Sequence, residues 1–147
     1  VPPVKLIWLA VVSAQVFMLL FLGVSGQRFE TEEPAQQLAG LLFMVGWVAL
    51  VLVVPIAYFI RNQIYKAHWR QDAVSDEGYV QANLIFFALL ELPAILGFVS
   101  AFIEGRLLPG ALPMAVVLGL LLLNYPHGRP KLDASPRLGV PEKRNER

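Results

Sequence analysis

The chain contains no cysteine. That excludes disulfide scaffolds, cysteine-zinc sites, iron–sulfur clusters and thiol catalysis. Histidine is nearly missing as well; His68 and His127 are the two present. Both fall at or outside the ends of apolar runs, so the facing intramembrane pair that a b-type haem needs is lacking. No lysine lies deep in an apolar run, which removes a retinal-type Schiff base. There is no glycine-rich phosphate loop and no HExxH. Charge is sparse, at 16% of residues against about 25% in an average soluble domain. The 12 Lys+Arg and 11 Asp+Glu nearly cancel, so net charge gives no drive toward nucleic acid. Neither catalytic residues nor a cofactor or metal site is expected, and the chain reads as a non-enzyme.

What is present is apolar. Of 147 residues, 56% are hydrophobic, and mean hydropathy is +0.59. Such a chain has too little polar surface to coat a soluble particle, and its length is that of one domain. An integral membrane protein is expected, with the lipid bilayer and other membrane chains, or further copies of itself, as partners. Four continuous apolar segments cover about 5–24, 37–60, 79–103 and 109–125. A helix rises about 1.5 Å per residue and the hydrocarbon core is roughly 30 Å thick, so about 20 residues cross it. The first three segments reach that length. The fourth is the shortest and needs little tilt or a thinner bilayer. Transmembrane strands would alternate, and these runs do not. The expected fold class is all-α, an integral membrane four-helix up-and-down bundle (residues 1–125) followed by a polar, proline-rich tail (126–147).

Charge separates the two sides. Arg28, Glu30, Glu32 and Glu33 lie between the first two segments, and Glu104 and Arg106 between the last two. On the other side lie Lys5, Arg61, Lys66, Arg70, Arg129, Lys131, Arg137, Lys143, Arg144 and Arg147. The positive-inside rule then puts both termini in the cytoplasm, here of a bacterial cytoplasmic membrane. The first segment is longer than a signal-peptide core and lacks a small-residue cleavage site after it, so a retained span is expected. Residues 61–78 form the long cytoplasmic connection. Ile64, Tyr65, Lys66, His68, Trp69 and Arg70 suit a helix leaving through the headgroup layer. Ser75 or Asp76 can cap the third helix, and Asp76 and Glu77 complement its dipole. The tail, with Pro126, Pro130, Pro136 and Pro141, has too little apolar sequence for a core and is expected to stay disordered unless a partner orders it.

Glu91 is the one ionisable residue deep in a span. A charge there costs at least about 2.5–3.5 kcal/mol by insertion scales. Intramembrane carboxylates face protein or a water path and often serve ion transfer. The alternative is a protonated carboxyl that bonds a neighbouring helix, worth roughly 0.6–2 kcal/mol. Gln15 lies halfway along the first segment, at the same expected depth, and its amide can meet the carboxyl. Pro93 has no N–H, so it frees the carbonyl of Leu89. Glu91, Gln15 and Leu89 are therefore the candidate ion-binding set. Ala88, Ala94, Phe87, Ile95 and Phe98 are expected on the Glu91 face, and Asn83 could extend a polar path toward the cytoplasm. Pro55 likewise frees the carbonyl of Val51, while Gly40, Gly46, Gly97 and Gly119 suit close helix packing.

The run Ala82-Asn83-Leu84-Ile85-Phe86-Phe87-Ala88-Leu89-Leu90-Glu91-Leu92-Pro93-Ala94-Ile95-Leu96-Gly97-Phe98-Val99 resembles the carboxylate helix of rotary ATP synthase proteolipids, the c subunits. Those helices carry a buried acid mid-span, with a glycine about one and a half turns later. The resemblance covers one helix and implies that Glu91 is an ion-carrying carboxylate. Two functions are therefore expected. The first is a small non-catalytic subunit that stabilises or assembles a larger membrane complex. The alternative is a proton- or sodium-binding membrane subunit with Glu91 as the carrier.

Overall fold

The computed structural model describes residues 2–25 and 32–130. The expected tail from residue 131 onward, and most of the acidic connection, lie outside the described residues. Four helices follow in order: α1 (Pro3–Ser25), α2 (Glu33–Ala67), α3 (Asp76–Glu104) and α4 (Leu112–Leu123). A two-stranded antiparallel ribbon, β1 (Trp69–Arg70) with β2 (Ala73–Val74), joins α2 to α3. The fold is all-α apart from that ribbon. Three helices, α1, α2 and α3, are long and apolar enough to cross a membrane.

The fourth segment departs from expectation. Its helix has 12 residues, about 18 Å at 1.5 Å per residue, which is shorter than the hydrocarbon core. The cause lies just before it. Gly105 ends α3 in the left-handed conformation, φ 68°, where glycine has no Cβ to clash. The chain then folds back against the last turns of α3. A Cβ on Gly110 would lie 2.6 Å from the Ala101 nitrogen, and one on Gly97 would lie 3.0 Å from the Gly110 carbonyl oxygen. The turn is thus pressed onto α3, and α4 begins beside Gly97 rather than level with Glu104.

α3 is the central helix. Its buried side chains recur along the whole element and include Ala82, Phe86, Phe87, Leu90, Ala94 and Ala101. Small residues on α2 let the two backbones approach: Ala39, Gly46 and Ala57 are all buried, and Ser100 Oγ donates to the Ala39 carbonyl at 2.8 Å. Gly46 meets Leu96, Gly97 and Pro113. In apolar solvent such close packing replaces the hydrophobic drive. α1 is peripheral. It buries only Val4, Gln15 and Leu22, with Ile7, Trp8, Val11, Val12, Met18 and Leu19 packed at the margin. These positions recur every three or four residues, a single helical seam. The rest of α1 is exposed, with Phe17 at 69% and Val24 at 71%. Faces so apolar and so exposed suit lipid contact.

The connection between α2 and α3 is shorter than expected. Helix α2 continues through Ala67, seven residues beyond the apolar segment, and only the ribbon and its turn remain. Of the two candidate caps for α3, Ser75 does the work: its Oγ accepts from the Gly78 N–H at 3.2 Å. Asp76 instead pairs with Arg129 at 3.1 Å. The described start of the expected tail is packed rather than loose. Pro126 and Pro130 are buried, and the Pro130 carbonyl accepts from the Val74 N–H at 3.2 Å.

Candidate functional site

Gln15 and Glu91 meet. Gln15 is fully buried, and its Nε2 donates to Glu91 Oε1 at 3.3 Å, linking the middle of α1 to the middle of α3. Glu91 itself is half-buried. The expected sealed face around it is divided. Phe87 and Ala94 are buried, Phe98 is partly buried, and Ala88 and Ile95 are exposed. Glu91 therefore sits at the border between the buried seam of α3 and its outer surface. The other amide atom, Gln15 Oε1, is buried with no hydrogen-bond partner. An amide and a protonated carboxylic acid can form a two-bond ring, N–H to carbonyl and O–H to carbonyl. The orphaned Oε1 is the acceptor such a ring needs. Leu89, the third member of the candidate set, is partly buried at the edge of the main core. Pro93 deprives its carbonyl of the usual helical donor.

Asn83 does not extend this site. Its Nδ2 donates to the Tyr65 hydroxyl at 2.9 Å and to the Tyr79 carbonyl at 2.8 Å. It faces α2, whereas Glu91 faces α1. Phe86, Phe87 and Leu90 are fully buried between the two levels. Eight residues of helix leave the two residues about 80° apart around α3, and the placement of α1 and α2 around α3, which spacing along the sequence does not convey, sets them against different neighbours.

A second polar cluster lies at the end of α2. Arg61 reads from the sequence as one of the cytoplasmic cations. In the structure it is buried, at 5% exposure. Its guanidinium lies 4.0 Å from the Phe86 ring centroid and 4.8 Å from that of Tyr58, close enough for cation–π attraction. Its Nη2 donates to Asn124 Oδ1 at 3.1 Å. Asn124 Nδ2 donates in turn to the Tyr58 hydroxyl at 2.7 Å and the Leu120 carbonyl at 2.8 Å. The aromatic and cationic patch is thus divided too. Tyr65 turns inward and is buried, and its ring stacks on Tyr79 at 6.3 Å, while Lys66 and Arg70 are exposed. A signal for this was present. Tyr58, Arg61 and Tyr65 fall on one helical face at i, i+3 and i+7. Beside them is a cavity of about 360 Å³ that Arg61 and Asn83 help to line.

The same end of the molecule gathers α1 and the residues after α4. Trp8 Nε1 donates to the Leu121 carbonyl at 2.8 Å, Trp8 packs edge-on to Tyr125 at 4.9 Å, and Lys5 lies 5.6 Å from the Tyr125 ring centroid. At the far end, Arg106 and Glu104 pair at 2.6 Å. Among the described residues no group of three or more His, Asp or Glu is placed to hold a metal ion. No protein-family model, curated protein or solved structure matches the chain.

Proposed function

We propose that the chain is a small non-catalytic membrane subunit that stabilises or assembles a larger membrane complex. In this reading the helices alternate in direction across the bilayer, with both termini and the Arg61 end in the cytoplasm. The observation that carries it is the setting of Glu91. Its bond is to a neutral amide on the adjacent helix, and buried aromatic side chains lie between it and the polar residues nearest the Arg61 end. In this reading the carboxyl serves to tie α1 to α3. The broad exposed apolar faces of α1 and α2 are available to lipid or to a partner helix.

A second reading keeps Glu91 as a proton or sodium carrier of proteolipid type. The partnerless Gln15 Oε1 and the donor-deprived Leu89 carbonyl favour it, since both are oxygens that a cation or an acid proton can use. Native mass spectrometry of the particle, released gently from its own membrane, separates the two. Masses from other chains are expected under the first reading. A particle built only of many copies of this 16.3 kDa chain would favour the second, and an isolated monomer that moves ions in liposomes would overturn the first.

A further inference from the structure

We propose that the apolar turn between α3 and α4 is immersed in the hydrocarbon of the leaflet on its side of the bilayer, and that lipid acyl chains are the partner of its exposed leucines. This rests on the membrane crossing in the reading above and not on any partner chain. The rival arrangements for a helix as short as α4 are a locally thinned bilayer and a turn that stands in water.

α3 serves as a depth ruler. The Arg61 guanidinium lies against Phe86, and Glu104, at the other end of α3, pairs with Arg106. Phe86 and Glu104 are 18 residues apart. That is about 27 Å along a helix, close to the roughly 30 Å of a hydrocarbon core. α4 fills only part of this height. Asn124, just past its last residue, bonds Arg61, and its first turn, at Pro113 and Met114, lies against Gly97. Gly97 stands seven residues before Glu104, so about 10 Å of height remains. The turn occupies that remainder, because Gly110 fits against both Ala101 and Gly97.

The chemistry of the turn suits hydrocarbon. From Leu107 to Leu112 no side chain is charged or polar. Leu107, Leu108 and Leu112 are exposed. Leu112 shares one helical face with Val116 and Leu123, which are exposed as well, so the turn continues the outer face of α4. Irregular backbone is costly in hydrocarbon unless its polar groups are met. Here the Ala111 N–H donates to the Leu107 carbonyl and the Leu112 N–H to the Pro109 carbonyl, both at 3.0 Å, and Pro109 has no N–H to satisfy. The turn therefore completes the apolar belt that α4 leaves short, and the bilayer keeps its thickness. A partner on that side meets this connection through the leaflet rather than from water.

The test uses the full chain in phosphatidylcholine vesicles. The chain has no cysteine, so single nitroxide labels can be attached after Arg106→Cys, Leu108→Cys and Leu112→Cys. Val48→Cys, on the exposed face of α2, and Lys66→Cys, also exposed, are the references for lipid and for water. Dissolved oxygen concentrates in hydrocarbon and a nickel chelate stays in water, and electron paramagnetic resonance reads the collisions of each with the label. Oxygen should dominate at Leu108 and Leu112, as at Val48. The chelate should dominate at Arg106, as at Lys66, so the order reverses between positions 106 and 108. Oxygen at Val48 with the chelate at Leu108 and Leu112 overturns the proposal. Labels at Leu108 and Leu112 that neither reagent reaches overturn the lipid assignment in favour of a protein cover. The chelate dominating at Val48 as well would instead remove the membrane reading itself. Circular dichroism checks each variant for helicity, and Leu108 and Leu112 are read separately, so either one decides if the other does not fold.

Discussion

At the residue scale, Gln15 and Glu91 are best understood through what each atom lacks. Gln15 is sealed from water, so its amide must find partners inside the protein. Glu91 satisfies Nε2 and leaves Oε1 unmet. Glutamine at position 91 has the same shape as the acid. It can accept from Gln15 Nε2 and donate to Oε1, so Glu91→Gln should change stability by less than about 1 kcal/mol. Glu91→Leu orphans the whole buried amide and should cost about 1–3 kcal/mol. Reversible unfolding in mixed micelles measures both. The near-silent Gln variant follows from a linking role, so a large loss of stability there would show that the negative charge itself is required. The sequence brought these residues level, each mid-way along an apolar run, but left open whether they meet; the packing of α1 beside α3 decides that. The burial of Arg61 was less legible. A cation at a span end reads as a surface group, and only the rings of Phe86 and Tyr58, from two helices, turn it into an interior one.

At the scale of elements, glycines with the same composition value have opposite consequences. Gly110 is pressed against the backbone of Ala101, whereas Gly119 has open space where a Cβ would go. A backbone neighbour cannot swing aside as a flexible side chain can. Gly110→Ala should therefore destabilise by about 1–3 kcal/mol, the usual range for overpacking. Gly119→Ala should lie within about 0.5 kcal/mol of neutral, the usual range for changes that meet nothing. Thermal unfolding of the pair in one detergent checks the contrast; equal effects would mean that the 105–111 turn is not tightly packed. That turn also explains the short α4. Proline, glycine and leucine in it look like the start of an apolar span, and hydropathy cannot distinguish a helix from an apolar turn folded onto α3.

At the scale of the whole molecule, charge is segregated by end. Lys5, Arg61 and Arg129 gather near Tyr125, Asn124 and Asp76, while Glu104 ends α3 and Arg106 follows it at the other end. In the proposed topology the first end is the cytoplasmic one, as the positive-inside rule predicts. The absence of cysteine makes that assignment simple to check. Single cysteines placed at Lys66 and Arg106 should react with a membrane-impermeant maleimide from opposite sides of sealed vesicles. In right-side-out vesicles only the Arg106 position should be labelled. Labelling of both from one side would contradict a membrane crossing between them.

An all-helical architecture, three helices long and apolar enough to cross a membrane, and the place of Glu91 mid-way along the third apolar run were legible in the sequence by itself; the fourth apolar run, read as a span, became a 12-residue helix. The legible features depend on local quantities: run length, the count of charges, and the cost of a carboxylate in hydrocarbon. The packing could not be read in the same way. A helix that is apolar all round has no hydrophobic stripe to show which face is buried, so the seam of α1 and the central place of α3 were invisible. They depend on shape: Ala39, Gly46, Ala57 and Gly97 allow close approach, and Gly110 fits against Ala101. Whether Asn83 joined Glu91 was decided by the rotation of α3 against its two neighbours. The same rotation brought α2 and α4 together around Arg61 and formed the cavity there, because a site made by several helices exists only once they are packed.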